Sequence, residues 1–371
     1  MKNNPLDDIV RCNVEISSPA SSDASFNSIL LIVPGPKVVG EKTMDKVTAI
    51  SRADALEDYG FSTEDTAYLA AMVAFSQNPS PDKLYICIRQ GKESEIDGES
   101  TTVYEDMAAV LSRASKEAEF YGIHITDFRE AADVQAAIAW AEANEKLFAF
   151  EYEDYANCPV KNFSYYRSFG MYAGDPDGYG AEESPAENHY AALAWMAKCF
   201  GYDPGTETWH LKELAAIVPS SLDTSQKKEL EKKHINTFLR YAGCNCTIGG
   251  YTLGGEWIDV IRFRDWLKAE IQINVFNALK ANRKVPYTDA GIGLVEGKME
   301  ETLKKGQDIG GIAPTEYDTD GNMVSGYSIT VPRASDLTEA ERKSRKLKGC
   351  RYSARLAGAI HAVEIEGFLT F

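Results

Sequence analysis

The chain lacks any apolar run approaching the roughly 18 residues that a membrane-spanning helix needs. Its opening, MKNNPLDDIVRC, has no apolar stretch of the secretory kind, so no export signal is expected. Histidine is scarce: His124, His189, His210, His234 and His361 lie far apart, and none falls in an HExxH pair. Cys244-Asn245-Cys246 has no second cysteine pair to complete a structural zinc site. The seven cysteines are odd in number and scattered, which points to reduced thiols in a cytoplasmic setting rather than a disulfide framework. Also missing are GxxxxGK[ST], GxGxxG between a strand and a helix, and the GxSxG elbow. The loop after the first apolar strand is Pro34-Gly35-Pro36-Lys37, and its two prolines lack the N–H groups that cradle phosphate. Asp318-Thr-Asp320-Gly-Asn322 lacks the spacing and distal Glu of a calcium loop and reads as a turn. No catalytic, cofactor or metal site is expected.

Positive charge is also in short supply. The net charge is −17, which argues against nucleic acid and anionic membrane as partners. Against that background Arg342, Lys343, Arg345, Lys346, Lys348 and Arg351 place six cations within ten residues. A run of this kind is a solvated helix face, or a patch that docks against an identical acidic neighbour.

Two alternating stretches stand at the ends of the chain. Near the start Val10, Cys12, Val14 and Ile16 alternate with polar residues, a strand pattern over Ile9–Ser17, followed by the linker-like SSPASSDAS. At the other end Tyr352, Ala354, Leu356, Ile360 and Ala362 share one parity with Arg351, Ser353, Arg355 and His361 on the other. The parity then flips, with Val363 and Ile365 apolar beside Glu364 and Glu366, and the chain closes on Phe368-Leu-Thr-Phe371 with no polar tail. These residues predict two short terminal strands, which either complete the chain's own sheet or add to that of another subunit.

Between the ends the texture is first βαβα. Apolar runs at Ser28–Val33, Leu84–Ile88, Gly122–Ile125, Leu147–Tyr152 and Ser168–Tyr172 predict buried parallel strands, with helices between them. GKESEIDGES reads as an acidic surface loop. A boundary is expected near Pro219–Thr224, followed by an α+β half. In that half the longest helix runs from Trp257 to about Ala281, another over Asp289–Lys305 is capped by Thr288, and a helix covers Thr338–Leu347. Strands are expected at Ile309–Ala313 and Ser328–Val331. The predicted architecture is an arm and linker over 1–27, a mainly parallel α/β domain over 28–222, an α+β domain over 223–349 and a β-arm over 350–371.

From residue 188 onward, NHYAALAWMAKCFGYDPGTETWHLKEL, GGYTLGGEWIDVIRFRDWLKAEIQ, VPYTDAGIGLVEGKM, YSITVP and ARLAGAIHAVEI together resemble the sheath proteins of contractile phage tails, in particular a short-sheath group of phages and prophages. The better-known sheaths have an Arg-Arg pair near the long helix, where this chain has Arg262-Phe263-Arg264-Asp265-Trp266. The resemblance implies a structural subunit and not an enzyme. Such a subunit polymerises helically with itself around a tail tube protein and meets baseplate and terminator proteins, with no nucleic acid bound and no membrane insertion. It also implies that the terminal arms exchange strands with neighbours, the α/β domain facing outward and the C-terminal domain facing the tube. The alternative is a cytosolic α/β ligand-binding protein or enzyme that uses the N-terminal sheet.

Overall fold

The computed structural model describes residues 26–38, 40–96, 99–179 and 184–367. The expected N-terminal strand with Val10, Cys12, Val14 and Ile16 lies outside the described residues, as do Phe368 and Phe371. The chain forms two compact units, Met1–Ala269 and Glu270–Phe371.

The first unit is built on an eight-stranded sheet. Strands β1 (Ile29–Val33), β2 (Thr48–Ile50) and β3 (Leu84–Ile88) alternate with the helix α1 (Thr66–Phe75). Then come a hairpin of β4 (Gly91–Ile96) and β5 (Glu99–Tyr104), the helix α2 (Met107–Glu117), β6 (Gly122–Ile125), α3 (Ala131–Asn144), β7 (Leu147–Tyr152) and β8 (Ser168–Tyr172). Helices α4 (Ala191–Phe200) and α5 (Thr224–Lys232) precede β9 (Asn236–Tyr241) and β10 (Cys244–Ile248). The spatial order is β10-β9-β8-β7-β6-β1-β3-β2; the pairs from β3 through β9 are parallel, and both outermost strands are antiparallel.

Why β1 lacks alternation is clear from its surroundings. Ile29, Leu31 and Val33 join a core that includes α1 and α4, while Leu30 and Ile32 join another that includes α2 and α3. A parallel sheet covered on both faces has no polar side to mark its period. Gly122 on β6 lets α4 come close, since a Cβ there would stand 2.7 Å from both Met196 Sδ and a Phe200 ring carbon.

The boundary expected near Pro219–Thr224 does not hold. Strands β9 and β10 extend the first sheet, with Met171 and Tyr172 of β8 paired to Asn236 and Thr237. Buried Asn236 locks this extension: its Nδ2 donates to the Gly170 and Tyr251 carbonyls at 3.0 and 2.9 Å, and its Oδ1 accepts from the Gly250 and Tyr251 N–H groups at 2.8 and 2.9 Å. The division falls instead inside the helix α6 (Ile258–Ala281), which is continuous across it.

The N-terminal half of α6 belongs to the first unit and carries buried charge. Arg262 is fully buried, and its guanidinium donates to Glu207 Oε1 at 2.5 Å, Asn27 Oδ1 at 2.7 Å and the carbonyls of Tyr202, Phe26 and Cys199 at 2.7, 3.2 and 3.2 Å. One helix turn on, Asp265 accepts a two-pronged pair from Arg167 at 2.6 and 3.1 Å, the Tyr121 hydroxyl at 2.7 Å and Arg264 at 2.8 Å. Complete burial alone would raise the Asp265 carboxyl; Arg167 and Arg264 outweigh it and hold the group below the usual range. Buried Glu145, at the end of α3, is less well served. Both its oxygens lack a hydrogen bond and Lys268 Nζ is 3.9 Å away, so burial pushes it up to about 7.

Two stability predictions follow from these charges. Asp265→Ala removes the buried carboxylate on which Arg167 and Arg264 converge and is expected to cost about 3–5 kcal/mol in urea denaturation; a loss below about 1 kcal/mol would show that the network carries no structural weight. At Glu145 the folded state holds a proton that an unfolded chain, with an ordinary carboxyl near 4.5, has released, so stability falls as pH rises from about 4.5 to 7. Glu145→Gln is expected to flatten that decline in melting curves at pH 5 and 8, and an unaltered slope would contradict it.

Candidate assembly surface

The second unit contains the C-terminal part of α6 and the helix α7 (Asp289–Asp308), whose first turn is capped by the Thr288 hydroxyl accepting from Gly291 N–H at 3.3 Å. Past α7 come the hairpin of β11 (Glu316–Tyr317) and β12 (Met323–Val324), then β13 (Tyr327–Thr330), the six-residue helix α8 (Glu339–Ser344) and β14 (Arg351–Ala354). The turn expected around Asp318–Asn322 joins β11 to β12, and the strand expected at Ile309–Ala313 reduces to a single bridge at Ile312.

The first of the two terminal strands forms within the chain's own unit. β14 runs antiparallel to β13, with Tyr327, Ser328, Ile329 and Thr330 opposite Ala354, Ser353, Tyr352 and Arg351. Its parity is as the alternation predicts: Tyr352 and Ala354 are half-buried, Arg351 and Ser353 exposed. The pairing continues past the ladder, where Arg355 N–H donates to the Gly326 carbonyl at 2.8 Å and the Arg355 carbonyl accepts from Ala313 N–H at 2.7 Å. Leu356 bridges to Ile312, and Ala357 N–H reaches the Gly311 carbonyl at 3.1 Å. The Arg355 side chain adds an ion pair to Glu316 at 2.8 Å and a hydrogen bond to the Pro314 carbonyl at 2.9 Å.

After Ala357 the pairing stops. Residues 358–367 have no secondary structure, and Ile360, Val363 and Ile365 are 84%, 71% and 87% exposed. The second terminal strand is therefore not formed in the isolated chain: a strand without a partner leaves its N–H and C=O groups to water, and ordering it gains nothing. The apolar side chains that made this stretch read as a strand are present and uncovered.

All six residues of the basic run are exposed, in two backbone settings. Arg342 and Lys343 lie on α8, which ends at Arg345 in the left-handed region (φ +55°), earlier than the predicted Leu347. Arg342 donates to the Ala334 carbonyl, and Lys343 pairs with Glu339 at 2.7 Å. From Lys346 to Cys350 the chain has no regular structure, and among the described residues no carboxylate stands within ion-pair distance of Arg345, Lys346 or Lys348. Arg351 opens β14. Residues 270–371 contain 14 basic and 14 acidic side chains, so the whole of the −17 falls on residues 1–269.

His124 Nε2 meets Glu151 Oε2 at 2.7 Å in full burial, and His189 pairs with Glu153. Among the described residues no group of three or more His, Cys, Asp or Glu side chains is placed to hold a metal ion. Open concavities of about 390 and 350 Å³ are lined by residues such as Asp175, Tyr179, Ser221 and Gln226, and Asp289, Ile292, Glu296 and Arg333.

This architecture, a mostly parallel sheet unit followed by a smaller α+β unit, is the fold of the contractile sheath proteins. The chain superposes on a chain of the anti-feeding prophage (AFP) baseplate with a TM-score of 0.67 at 16% identity, covering 98% of both chains. It matches the AFP helical sheath in its contracted state with a TM-score of 0.65 at 14% identity, covering 97% of each chain. For the sheath tail protein of Listeria innocua the TM-score is 0.53 at 9% identity, over 85% of this chain and 89% of that one. No curated protein matches the chain in sequence. Residues 258–368 match the family described as E217 tail sheath protein gp31-like, C-terminal domain. The match begins at the first residue of α6 and takes in the terminal segment.

Amide exchange should reproduce the break in pairing. The Arg355 and Ala357 amides are expected to be protected, and those from Ala362 to Gly367 to exchange at nearly free rates; protection extending to Ile365 in the monomer would contradict the structure.

Proposed function

We propose that this chain is the repeating structural subunit of a contractile tail sheath. It polymerises helically with itself around a tail tube, meets baseplate and terminator proteins at the ends, and contracts to drive the tube through a cell envelope. The particle is a phage tail or a phage-derived device assembled in the bacterial cytoplasm. The reading rests first on the sheath fold over nearly the whole chain and on the tail-sheath domain over 258–368.

The observation that carries it furthest is the unequal state of the two terminal stretches. Arg351–Ala357 is paired within its own unit, whereas Ile360, Val363 and Ile365 are exposed in a segment that forms no strand. An extended segment of this composition gains most by adding to the edge of a sheet in another copy, where main-chain hydrogen bonds give strength and alternate side chains give register. One copy's tail on the next makes a heterologous contact, and such contacts build open helices when they do not close. In this scheme the stretch after Ala357 crosses to a neighbour, and Arg351–Ala354 stays home as its anchor. At the other end the Arg262 guanidinium fixes Phe26 and Asn27, the point from which the proposed N-terminal arm departs.

Negative-stain microscopy of the purified full-length chain is expected to show helical tubes. Truncation after Ala357 keeps every pairing of β14 and should leave a folded monomer, with a circular-dichroism spectrum like that of the full chain, that forms no tubes. Tubes formed by the truncated chain would overturn the role given to the tail.

A further inference from the structure

We infer that the β4–β5 hairpin of one copy is the acidic surface that receives the Lys346–Lys348 segment of a second copy, an inference that rests on the sheath reading. The hairpin is exposed throughout its described side chains and is held only at its base, where Tyr104 packs edge-on to Phe128 at 4.9 Å and Arg89 lies over both rings. A two-stranded ribbon with both faces in water is marginal by itself. Along β4 the strand period places Glu93 and Glu95 on one face, about 7 Å apart. Their cross-strand partners are Thr102 and Ser100, so no cation stands opposite them on that face; Lys92 of the same strand falls on the other parity, opposite Val103.

The chain carries the counterpart on its other unit. Lys346 and Lys348 are exposed, flank half-buried Leu347, and have no carboxylate within ion-pair distance. They are likewise two residues apart in non-helical backbone, so this stretch can match the spacing of the two glutamates when it is extended. Two carboxylates and two ammonium groups in matching register attract each other and penalise a one-residue slip, which would set one cation out of place. Complementarity of this type fixes orientation and encounter rate more than affinity. Unit by unit the charge agrees: the hairpin belongs to residues 1–269, which hold the entire net −17, and the basic segment to residues that sum to zero.

The test uses two full-length variants, Lys346→Glu/Lys348→Glu and Glu93→Lys/Glu95→Lys, with folding checked by melting curves, since all four side chains lie in water. Each alone faces like charge across the contact and is expected to raise the critical concentration for polymerisation about tenfold or more at low salt. Mixed one to one, every contact between unlike copies joins opposite charges, and polymerisation should return to near the wild-type threshold by sedimentation and microscopy. Either variant polymerising like wild type would overturn the inference. So would a mixture that stays monomeric, including the case in which one chain carrying all four substitutions assembles, which would place the contact within a single chain. Wild-type protein that forms no tubes would sink the sheath reading itself; the hairpin contact would then be judged by whether the two variants associate when mixed and not apart.

Discussion

Burial of four charged side chains on one helix constrains this structure more than any other feature. Arg262, Arg264, Asp265 and Lys268 sit in the N-terminal half of α6, where water cannot solvate them. Each guanidinium must find acceptors or the helix cannot seat. Arg262 therefore collects three carbonyls from two separate segments, and Asp265 gathers Arg167, Arg264 and Tyr121. Such a network adds little net stability over an apolar replacement, but it fits only one placement of the helix, because any other leaves a charge unpaired. The same helix continues into the second unit as its first element.

The second unit is organised differently. Its sheets are two-stranded, its surface charge is balanced overall, and much of its apolar surface near the C-terminus is uncovered. A small domain with short sheets and an unsatisfied segment is incomplete by the ordinary accounting of buried area. Under the function proposed above, being incomplete is an advantage, since the contacts missing from the single chain are the ones that neighbouring copies would supply.

Much of the large sheet was legible because β1, β3, β6, β7 and β8 are short apolar runs between turn residues, and the Thr288 cap announced α7. The hairpin was not: GKESEIDGES intersperses Glu with Ser, and its described side chains are exposed, so its strands leave no hydrophobic period and read as a loop. The boundary was misplaced because a change of texture near residue 222 is not a change of sheet; β9 and β10 are held to the first sheet by a buried asparagine, and a satisfied Asn has no sequence signature. Arg262-Phe263-Arg264-Asp265-Trp266 stood out as a departure from the usual Arg-Arg pair, yet nothing in the letters said that its charges are internal. Of the candidate assembly residues, Leu356, Ile360, Val363 and Ile365 were found by alternation, and the structure separates the first, bridged to Ile312, from the three that are unpaired.

The anchoring of β14 has a mechanical consequence. Its ladder with β13, the Arg355 contacts and the Ala357 hydrogen bond lie in series along the last fixed stretch of chain. Tension directed along the extended tail meets them in shear: the bonds share the load and must yield together, whereas a force across the strand would peel them one at a time. A tail rooted in this way behaves as a tether that tolerates pulling along its length and allows swivelling at Gly358, where φ is +68° and a side chain would meet nothing within 4 Å.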